Sequence, residues 1–246
     1  MSIICLWSGP RNVSTALMYS FAERPDTRVV DEPLYGHYLR VSGADHPGRD
    51  EVMQSMNTDG NDVMQTLIYG ARPSSEVLFI KHMAHHLVDL DLSFLGGAQN
   101  ALLIRDPKEM LPSLTVQIPH AGLADTGLER QWNLYQSLES LGQQPAIIDA
   151  RELLLDPDGV IAALCRHLDI DFHPGMLSWS AGPIKEDGVW APHWYHAVHK
   201  STGFANYVAK QDFPSELLPL LEECHPYYEK LHALSIKARP PEDFPS

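Results

Sequence analysis

The chain has 246 residues, enough for one domain with a sizeable core, and its 44% of hydrophobic residues exclude a largely disordered protein. Its formal net charge of −14 argues against general binding to nucleic acid or to an anionic membrane surface. The three cysteines form no C-x-x-C pair or disulfide framework, which is typical of free thiols in a reducing compartment.

Five short apolar runs predict strands that are buried on both faces, as in a parallel sheet. They cover residues 3–7, 28–30, 77–80, 101–104 and 146–148. Helix-compatible segments lie between and after them, at 15–23, 59–70, 108–117, 128–141 and 160–167. This alternation predicts an α/β fold, a three-layer sandwich with a central parallel sheet and helices on both faces.

The last third of the chain has a different composition. Residues 171–212 are rich in Pro, Gly, His and Trp, and we expect a long loop region that covers a pocket at one end of the sheet. A helix over 213–233 is predicted to close a single domain, 1–246, because no linker is evident. Trp190, His193, Trp194 and Tyr195 are candidates to line that pocket, and filling a small satellite core is the alternative.

The first residues give no sign of a targeting segment. They enter a strand-like apolar run directly, without a positively charged region or a cleavage site, and no stretch approaches the roughly 20 apolar residues of a membrane span. The sequence therefore predicts a cytoplasmic protein without a membrane partner.

The turn after the first strand, residues 8–15, reads Ser-Gly-Pro-Arg-Asn-Val-Ser-Thr. Backbone N–H groups in such a turn, together with the N-terminus of the following helix, favour a phosphate. Arg11 would add a fixed charge, and Ser14 and Thr15 would add hydroxyl donors. A simple helix cap by Ser14 or Thr15 is the alternative. The turn lacks the Gly-Lys pair of the Walker A pattern, so hydrolysis of a triphosphate is poorly supported.

A second motif follows the fourth predicted strand. Arg105 stands at the strand's carboxyl end, where ligands bind in open α/β sheets, and an Asp-Pro pair then begins a helix. Ser113 lies two turns into that helix. The alternative is structural: Arg105 pairs with a nearby carboxylate, and Ser113 is a surface or packing residue.

Together these motifs resemble the sulfotransferase family, including a bacterial branch also found in aminotransferase-like proteins. Residues 10–15 resemble its 5′-phosphosulfate-binding loop, Pro-Lys-Ser-Gly-Thr-Thr in the cytosolic enzymes. The family binds a 3′-phosphate through an Arg-x-Pro segment and a Ser eight residues after the Arg, which is the spacing of Arg105 and Ser113. The resemblance implies a P-loop NTPase-like fold, 3′-phosphoadenosine 5′-phosphosulfate as the donor cosubstrate, and no metal.

The resemblance also implies roles for individual residues. Arg11 takes the place of the lysine that contacts the phosphosulfate bridge. Lys200 stands in for the family's C-terminal Arg-Lys-Gly segment, which completes the 3′-phosphate site. The residues that wrap the 5′-phosphate are Asn12, Val13, Ser14 and Thr15. Val13 replaces the usual glycine, so a β-branched residue must accept the loop conformation.

Two positions compete for the role of the catalytic base. In cytosolic sulfotransferases the third strand ends in Lys-Thr-His, where the lysine supports the transferring sulfuryl group and the histidine removes the acceptor's proton. Lys81 matches the lysine, which implies a catalytic role for it, whereas His82 comes one place early and His85 two places late. Other members carry a catalytic glutamate after the second strand, where Asp31 and Glu32 stand. We prefer Glu32 to His82, with structural roles as the alternative for each. No carboxylate completes a metal site with the histidines.

The implied function is transfer of a sulfuryl group to a small hydroxyl or amine acceptor. The alternatives are a P-loop nucleotide-dependent kinase or hydrolase, and a non-catalytic sulfotransferase-like protein. The sequence identifies neither the acceptor nor the oligomeric state, and a homo-oligomer remains open.

Overall fold

The structure is a computed structural model that describes residues 2–71, 76–209 and 212–240. Its sheet has five parallel strands in the order β2-β3-β1-β4-β5. The strands are β1 (Ser2–Ser8), β2 (Thr27–Asp31), β3 (Val77–Met83), β4 (Gln99–Ile104) and β5 (Ala146–Asp149). Each contains one predicted run, so the five-strand parallel sheet is confirmed.

Helices connect the strands and cover both faces of the sheet. In chain order they are α1 (Ser14–Ala22), α2 (Tyr35–Ser42), α3 (Arg49–Ser55), α4 (Gly60–Tyr69), α5 (Pro107–Gln117), α6 (Leu123–Thr126), α7 (Leu128–Ser140), α8 (Ala150–Leu155), α9 (Pro157–His167), α10 (Ala191–Trp194) and α11 (Leu218–Ala233). The predicted segments correspond to α1, α4, α5, α7 and α9 and agree with them to within three residues at each end.

The core lies in two layers, one on each face of the sheet. Side chains alternate between the faces along β1: Ile4 and Leu6 pack in the cluster that includes α1 and α9, whereas Cys5 and Trp7 pack in the cluster that includes α5 and α7. Because both faces are covered, the strands have to be apolar throughout, which explains their continuous hydrophobic runs.

The strand order creates a crevice at one edge of the sheet. Strand β1 lies between β3 and β4. The chain passes from β1 to β2 and β3 on one side of it and then crosses over β1 to β4 and β5 on the other side. In open α/β sheets this switch point, at the carboxyl ends of the strands, is where ligands bind. The β1–α1 turn, Lys81 of β3 and Arg105 after β4 all lie at this edge.

The region 171–212 contains α10 and two short 3₁₀ turns, Pro174–Leu177 and Val198–Lys200, among its described residues. It contributes Trp190 and Tyr195 to the core cluster that includes α1 and α9. The last helix, predicted over 213–233, begins at Leu218 after a 3₁₀ turn.

Among the helices of the described ranges, none combines the length and the apolar character that crossing a bilayer requires.

Candidate active site

The carboxyl edge of the sheet opens into one cavity of about 400 Å³. Residues from the β1–α1 turn, the ends of β3 and β4, helix α5 and the 171–212 region line it. Of the residues singled out in the sequence, it brings together Arg11, Asn12, Val13, Ser14, Thr15, Glu32, Lys81, Arg105, Ser113, Trp190, Trp194 and Tyr195, whereas His193 is not among the residues that line it.

The β1–α1 turn is held by the side chain of Asn12. Its Nδ2 donates to the carbonyl oxygen of Leu103 in β4 at 3.1 Å, and its Oδ1 accepts from the backbone N–H of Ser14 at 3.0 Å. Val13 has φ −94° and ψ 25°, a conformation open to a β-branched residue, whereas Arg11 has φ 54°. The backbone strain of this turn therefore lies at Arg11 and not at Val13.

The two sequence motifs meet at Arg11. Its Nε donates to Ser113 Oγ at 2.9 Å, and the guanidinium of Arg105 donates to the Arg11 carbonyl oxygen at 2.7 Å. Burial, followed by the charge of Arg105, lowers the pKa of Arg11. Because the charges of Arg11 and Arg105 repel each other, an anion bound beside them would be favoured, since it would offset this repulsion.

Arg105 also has a carboxylate neighbour, as the structural alternative required. Its Nε and Nη2 lie 3.4 Å from Glu109 Oε2, four residues along α5. The hydroxyl of Tyr207 donates to the other oxygen of Glu109 at 2.5 Å. Glu109 thus fixes the direction of the Arg105 side chain at the cavity, while Nη1 of Arg105 remains on the β1–α1 turn.

A buried ionic cluster lies at the ends of β2 and β3, on the other side of β1 from Arg105. Lys81 Nζ donates to Asp31 Oδ1 at 2.8 Å, to Glu32 Oε1 at 2.6 Å and to the hydroxyl of Tyr195 at 2.6 Å. These three bonds use all three donors of the ammonium group. Burial alone would lower the pKa of Lys81, but the two carboxylates outweigh it, so the pKa is raised and the lysine stays charged.

Tyr195 ties the 171–212 region to this cluster. Its hydroxyl donates to Asp31 Oδ2 at 2.7 Å and accepts from the indole N–H of Trp190 at 3.0 Å. Burial, followed by the charges of Asp31 and Glu32, raises the pKa of Tyr195 well above its ordinary value. The phenol therefore stays neutral and serves as a fixed hydrogen-bonding partner for Lys81.

Glu32 and Asp31 differ in their access to the cavity. Glu32 lines it, whereas Asp31 lies behind the Lys81 ammonium group. Burial raises the pKa of Glu32, Lys81 works in the opposite direction, and the net shift is upward. Glu32 also has φ 38°, an uncommon backbone conformation at a position that the sheet edge and Lys81 hold in place.

His82 and Lys200 are not among the residues that line the cavity. Because β3 continues to Met83, Lys81 and His82 point to opposite faces of the sheet, and His82 stacks on Trp7 with ring centroids 4.1 Å apart. Burial, with a further contribution from the charge of Lys81, lowers the pKa of His82 to about 3. Lys200 is exposed at the end of a 3₁₀ turn.

Several cavity residues escaped the sequence analysis because α2 was not predicted. Tyr35 and Tyr38, three residues apart on that helix, both stack on the ring of His86, with ring centroids 5.0 and 4.7 Å away, respectively. The signal that could have found them is this spacing, since residues three apart lie on one face of a helix. His46, which the sequence analysis also missed, lines this part of the cavity together with the predicted Trp194 and with His85.

The histidines of the cavity carry no metal site: within the described ranges, no three His, Cys, Asp or Glu side chains are grouped so that they could hold a metal ion. Burial lowers the pKa of His85 to about 3 and that of His86 well below its ordinary value. Both rings are consequently neutral aromatic surfaces at pH 7.

Known proteins resemble this chain in sequence and in fold. It is 42% identical over 233 residues to branched-chain-amino-acid aminotransferase-like protein 2 and 43% identical to protein 1 of the same name, both from Arabidopsis thaliana. These matches cover 94% of the chain but only 41% and 42% of the two relatives. The chain thus spans about two fifths of the length of these curated relatives.

Solved sulfotransferase structures share the fold at low sequence identity. The sulfotransferase domain from the curacin biosynthetic pathway is 17% identical with a TM-score of 0.53, over 94% of this chain and 97% of that one. A sulfotransferase from Alicyclobacillus acidocaldarius is 15% identical with a TM-score of 0.52, over 95% of each chain.

The family comparison covers almost the whole sequence. The family model described as "Sulfotransferase domain" matches residues 1–235, which include every strand and the cavity. The two motifs that resemble the family, residues 10–15 and residues 105–113, lie inside this range. The chain therefore belongs to the sulfotransferase domain family.

Proposed function

We propose that this protein transfers a sulfuryl group from 3′-phosphoadenosine 5′-phosphosulfate to a small acceptor with a hydroxyl or amine group. The observation that carries the proposal is the 2.9 Å contact between Arg11 and Ser113, which joins the two motifs in the cavity that Glu32 also lines. Membership in the sulfotransferase domain family supports the same reaction.

The end of the cavity at Arg11, Arg105 and Ser113, the nucleotide end, suits an adenosine bisphosphate. Arg11 and the backbone N–H groups at the N-terminus of α1 would hold the 5′-phosphosulfate, with the hydroxyl groups of Ser14 and Thr15. Arg105 and Ser113 would hold the 3′-phosphate. The two adjacent guanidinium groups support this fit because they favour a ligand with several negative charges.

The end at Glu32, Lys81 and Tyr195, the acceptor end, supplies the base. The acceptor oxygen or nitrogen attacks sulfur, the bond from sulfur to the 5′-phosphate oxygen breaks, and Glu32 takes the acceptor's proton. A raised pKa suits this role, because it makes the carboxylate a stronger proton acceptor. Arg11 would stabilise the charge that develops on the leaving oxygen.

Lys81 takes a different part in this scheme from the one that the resemblance implied. Its three donors already bind Asp31, Glu32 and Tyr195, so we assign it the positioning of Glu32. The same observation favours a second candidate, a non-catalytic sulfotransferase-like protein, because Lys81 has no donor left for a sulfuryl group in this arrangement.

Calorimetric titration tests the proposal directly. We expect adenosine 3′,5′-bisphosphate to bind tightly and ATP with magnesium to bind weakly. Binding of ATP alone would replace the proposal with a kinase or hydrolase, and binding of neither nucleotide would replace it with a non-catalytic relative. A screen with isotopically labelled donor would then identify acceptors.

The base is tested by Glu32→Gln. We expect transfer to fall by about 10²- to 10⁴-fold, the range that loss of a general base produces, with unchanged affinity for adenosine 3′,5′-bisphosphate. The matched control is Glu51→Gln on the exposed surface of α3, which should keep full activity. Full activity of Glu32→Gln would remove Glu32 from the mechanism.

A further inference from the structure

A continuous set of aromatic rings bounds the acceptor end of the cavity. Successive rings lie 4.7 to 6.3 Å apart between centroids. In order of contact they are Trp190, Tyr35, His86, Tyr38, His46 and Trp194, and we call this set the aromatic wall. All six line the cavity. Several aromatic side chains at one end of a cavity are typical of sites that bind organic cations.

The wall carries no positive charge at neutral pH. Burial lowers the pKa of His46, and it lowers that of His86 much further. The Nδ1 atom of His86 is buried at the cavity without a hydrogen-bond partner among the described residues. The Nδ1 of His46 lies 2.9 Å from the hydroxyl of Tyr35, which fixes the relative position of these two rings.

Two carboxyl groups face this wall. Glu32 raises the pKa of Tyr35, after the larger effect of burial. Asp125 does the same for Tyr38 and opposes the lowering of the pKa of His46, so it lies within electrostatic range of both rings. Asp125 Oδ2 accepts from the backbone N–H of Gly122 at 2.8 Å, and both Asp125 and Glu32 line the cavity.

The positively charged side chains of the cavity are not available to the aromatic wall. Among the described residues, the Arg and Lys side chains that line it are Arg11, Lys81 and Arg105. Both arginines lie at the nucleotide end, and Lys81 is bonded to Asp31 and Glu32. An anionic acceptor would therefore meet carboxylates and uncharged aromatic rings without a counter-charge, at a considerable electrostatic cost.

We propose that the acceptor is an organic cation, a compound with a quaternary or protonated ammonium group and a separate hydroxyl group. The ammonium group lies against the aromatic wall near Asp125, and the hydroxyl group is directed toward Glu32. This inference rests on the proposed sulfuryl transfer and narrows its acceptor class. A protonated amine has no free electron pair, so the nucleophile has to be the hydroxyl oxygen.

The reaction then has a definite balance. The hydroxyl oxygen forms the new bond to sulfur, its proton passes to Glu32, and the bond from sulfur to the 5′-phosphate breaks. The products are adenosine 3′,5′-bisphosphate and a sulfate ester in which the negative sulfate balances the ammonium charge. The product is thus a zwitterion, and it no longer has the net charge that the aromatic wall and Asp125 attract.

Matched pairs of probes test the inference by binding. Choline and 3,3-dimethylbutan-1-ol differ only in a charged nitrogen in place of a carbon, and tyramine and 4-propylphenol are a larger pair. Hydroxypivalate serves as the anionic probe. Affinities are measured by calorimetry with and without saturating adenosine 3′,5′-bisphosphate. We expect at least one cation to bind about tenfold more tightly than its neutral partner, and hydroxypivalate to bind most weakly.

Two variants test which residues cause the preference for a cation over its neutral partner. Asp125→Asn keeps an oxygen for the Gly122 N–H but loses the charge, and Trp194→Leu removes one ring. Each should reduce the ratio between cation and neutral partner about fivefold or more and leave nucleotide affinity unchanged. The control is Asp158→Asn, which removes the same charge from an exposed site on α9 and should leave the ratio unchanged.

The outcomes separate this inference from the proposed function. Equal or tighter binding of the neutral partners or of hydroxypivalate would overturn the inference, and so would no binding of either cation at millimolar concentration. Sulfuryl transfer would stand in those cases if the bisphosphate binds. If the bisphosphate does not bind, sulfuryl transfer fails, while the ratios measured without nucleotide still decide for or against a cation site.

Discussion

The nucleotide end of the cavity is built from two continuous stretches of chain, whereas the acceptor end is assembled from segments far apart in the sequence. Arg11 belongs to the turn after β1, and Arg105 and Ser113 follow β4 within nine residues. At the acceptor end, Lys81 is bonded to Tyr195, which stands 114 positions later. The nucleotide end can therefore be predicted from residue spacing in the sequence, whereas the acceptor end depends on tertiary packing.

The largest effect is expected from Lys81→Met, which breaks the acceptor end. It leaves Asp31 and Glu32 buried without their cation, so the free energy of unfolding at pH 7 should fall by about 3–5 kcal/mol. Burial already raises the pKa of Glu32, so its protonation would offset part of the loss, and the deficit should therefore be smaller at pH 5. Urea denaturation measures both values.

The control for this prediction is Lys185→Met, because Lys185 forms an ion pair with Glu186 while its side chain is 88% exposed. We expect a change below about 0.5 kcal/mol there, as for surface ion pairs in general. A loss below about 1 kcal/mol in Lys81→Met would contradict the idea that the buried cluster stabilises the acceptor end.

The second effect concerns the nucleotide end. Arg105→Ala should weaken binding of adenosine 3′,5′-bisphosphate about 10- to 100-fold, the usual worth of hydrogen bonds to a charged group. Adenosine 5′-phosphate lacks the 3′-phosphate, so its affinity should change much less. Calorimetry on both ligands gives the comparison, with the exposed Arg130→Ala as the control. Equal losses for both nucleotides would show that Arg105 does not read the 3′-phosphate.

The effect that is smallest at pH 7 concerns His82, which belongs to neither end of the cavity. Its pKa is about 3 in the folded protein, so between pH 3 and about 6.5 the unfolded chain binds a proton that the folded chain does not. This group makes stability fall as pH decreases through that window. His82→Leu should reduce the slope by about 1.4 kcal/mol per pH unit and leave the free energy of unfolding at pH 7 similar or higher.

Urea denaturation at a series of pH values from 4 to 7 measures this slope. The exposed His225→Gln, which lies on α11, is the control and should leave the slope unchanged. An unchanged slope in His82→Leu would mean that His82 titrates normally and is accessible to solvent.

Much of the fold follows from short local patterns. The continuous apolar runs predict five buried strands because a sheet that is covered on both faces leaves no polar side to alternate with. Arg105 and Ser113 were predicted by their spacing of eight, and the structure brings both to the cavity with Arg11. These features can be predicted from the sequence because each depends on a single strand and the residues that directly follow it.

The acceptor end was less predictable for reasons of geometry. Whether Lys81 or His82 faces the cavity depends on where β3 ends, and extending the strand by three residues sends His82 to the opposite face. Val13 replaces the family's usual glycine, but the residue of this turn with a positive φ is Arg11. Nothing in the sequence around Tyr195 indicates that its hydroxyl contacts Asp31.

The bond from Tyr195 to Lys81 also has a consequence for biosynthesis. Strands β1 to β4 lie within the first 104 residues and leave the ribosome well before Tyr195 is made. During that interval the segment with Trp190 and Tyr195 does not yet cover Lys81, Asp31 and Glu32, so water can stabilise their charges. Arrival of the segment with Trp190 and Tyr195 then excludes this water, so the acceptor end matures among the last parts of the nascent chain.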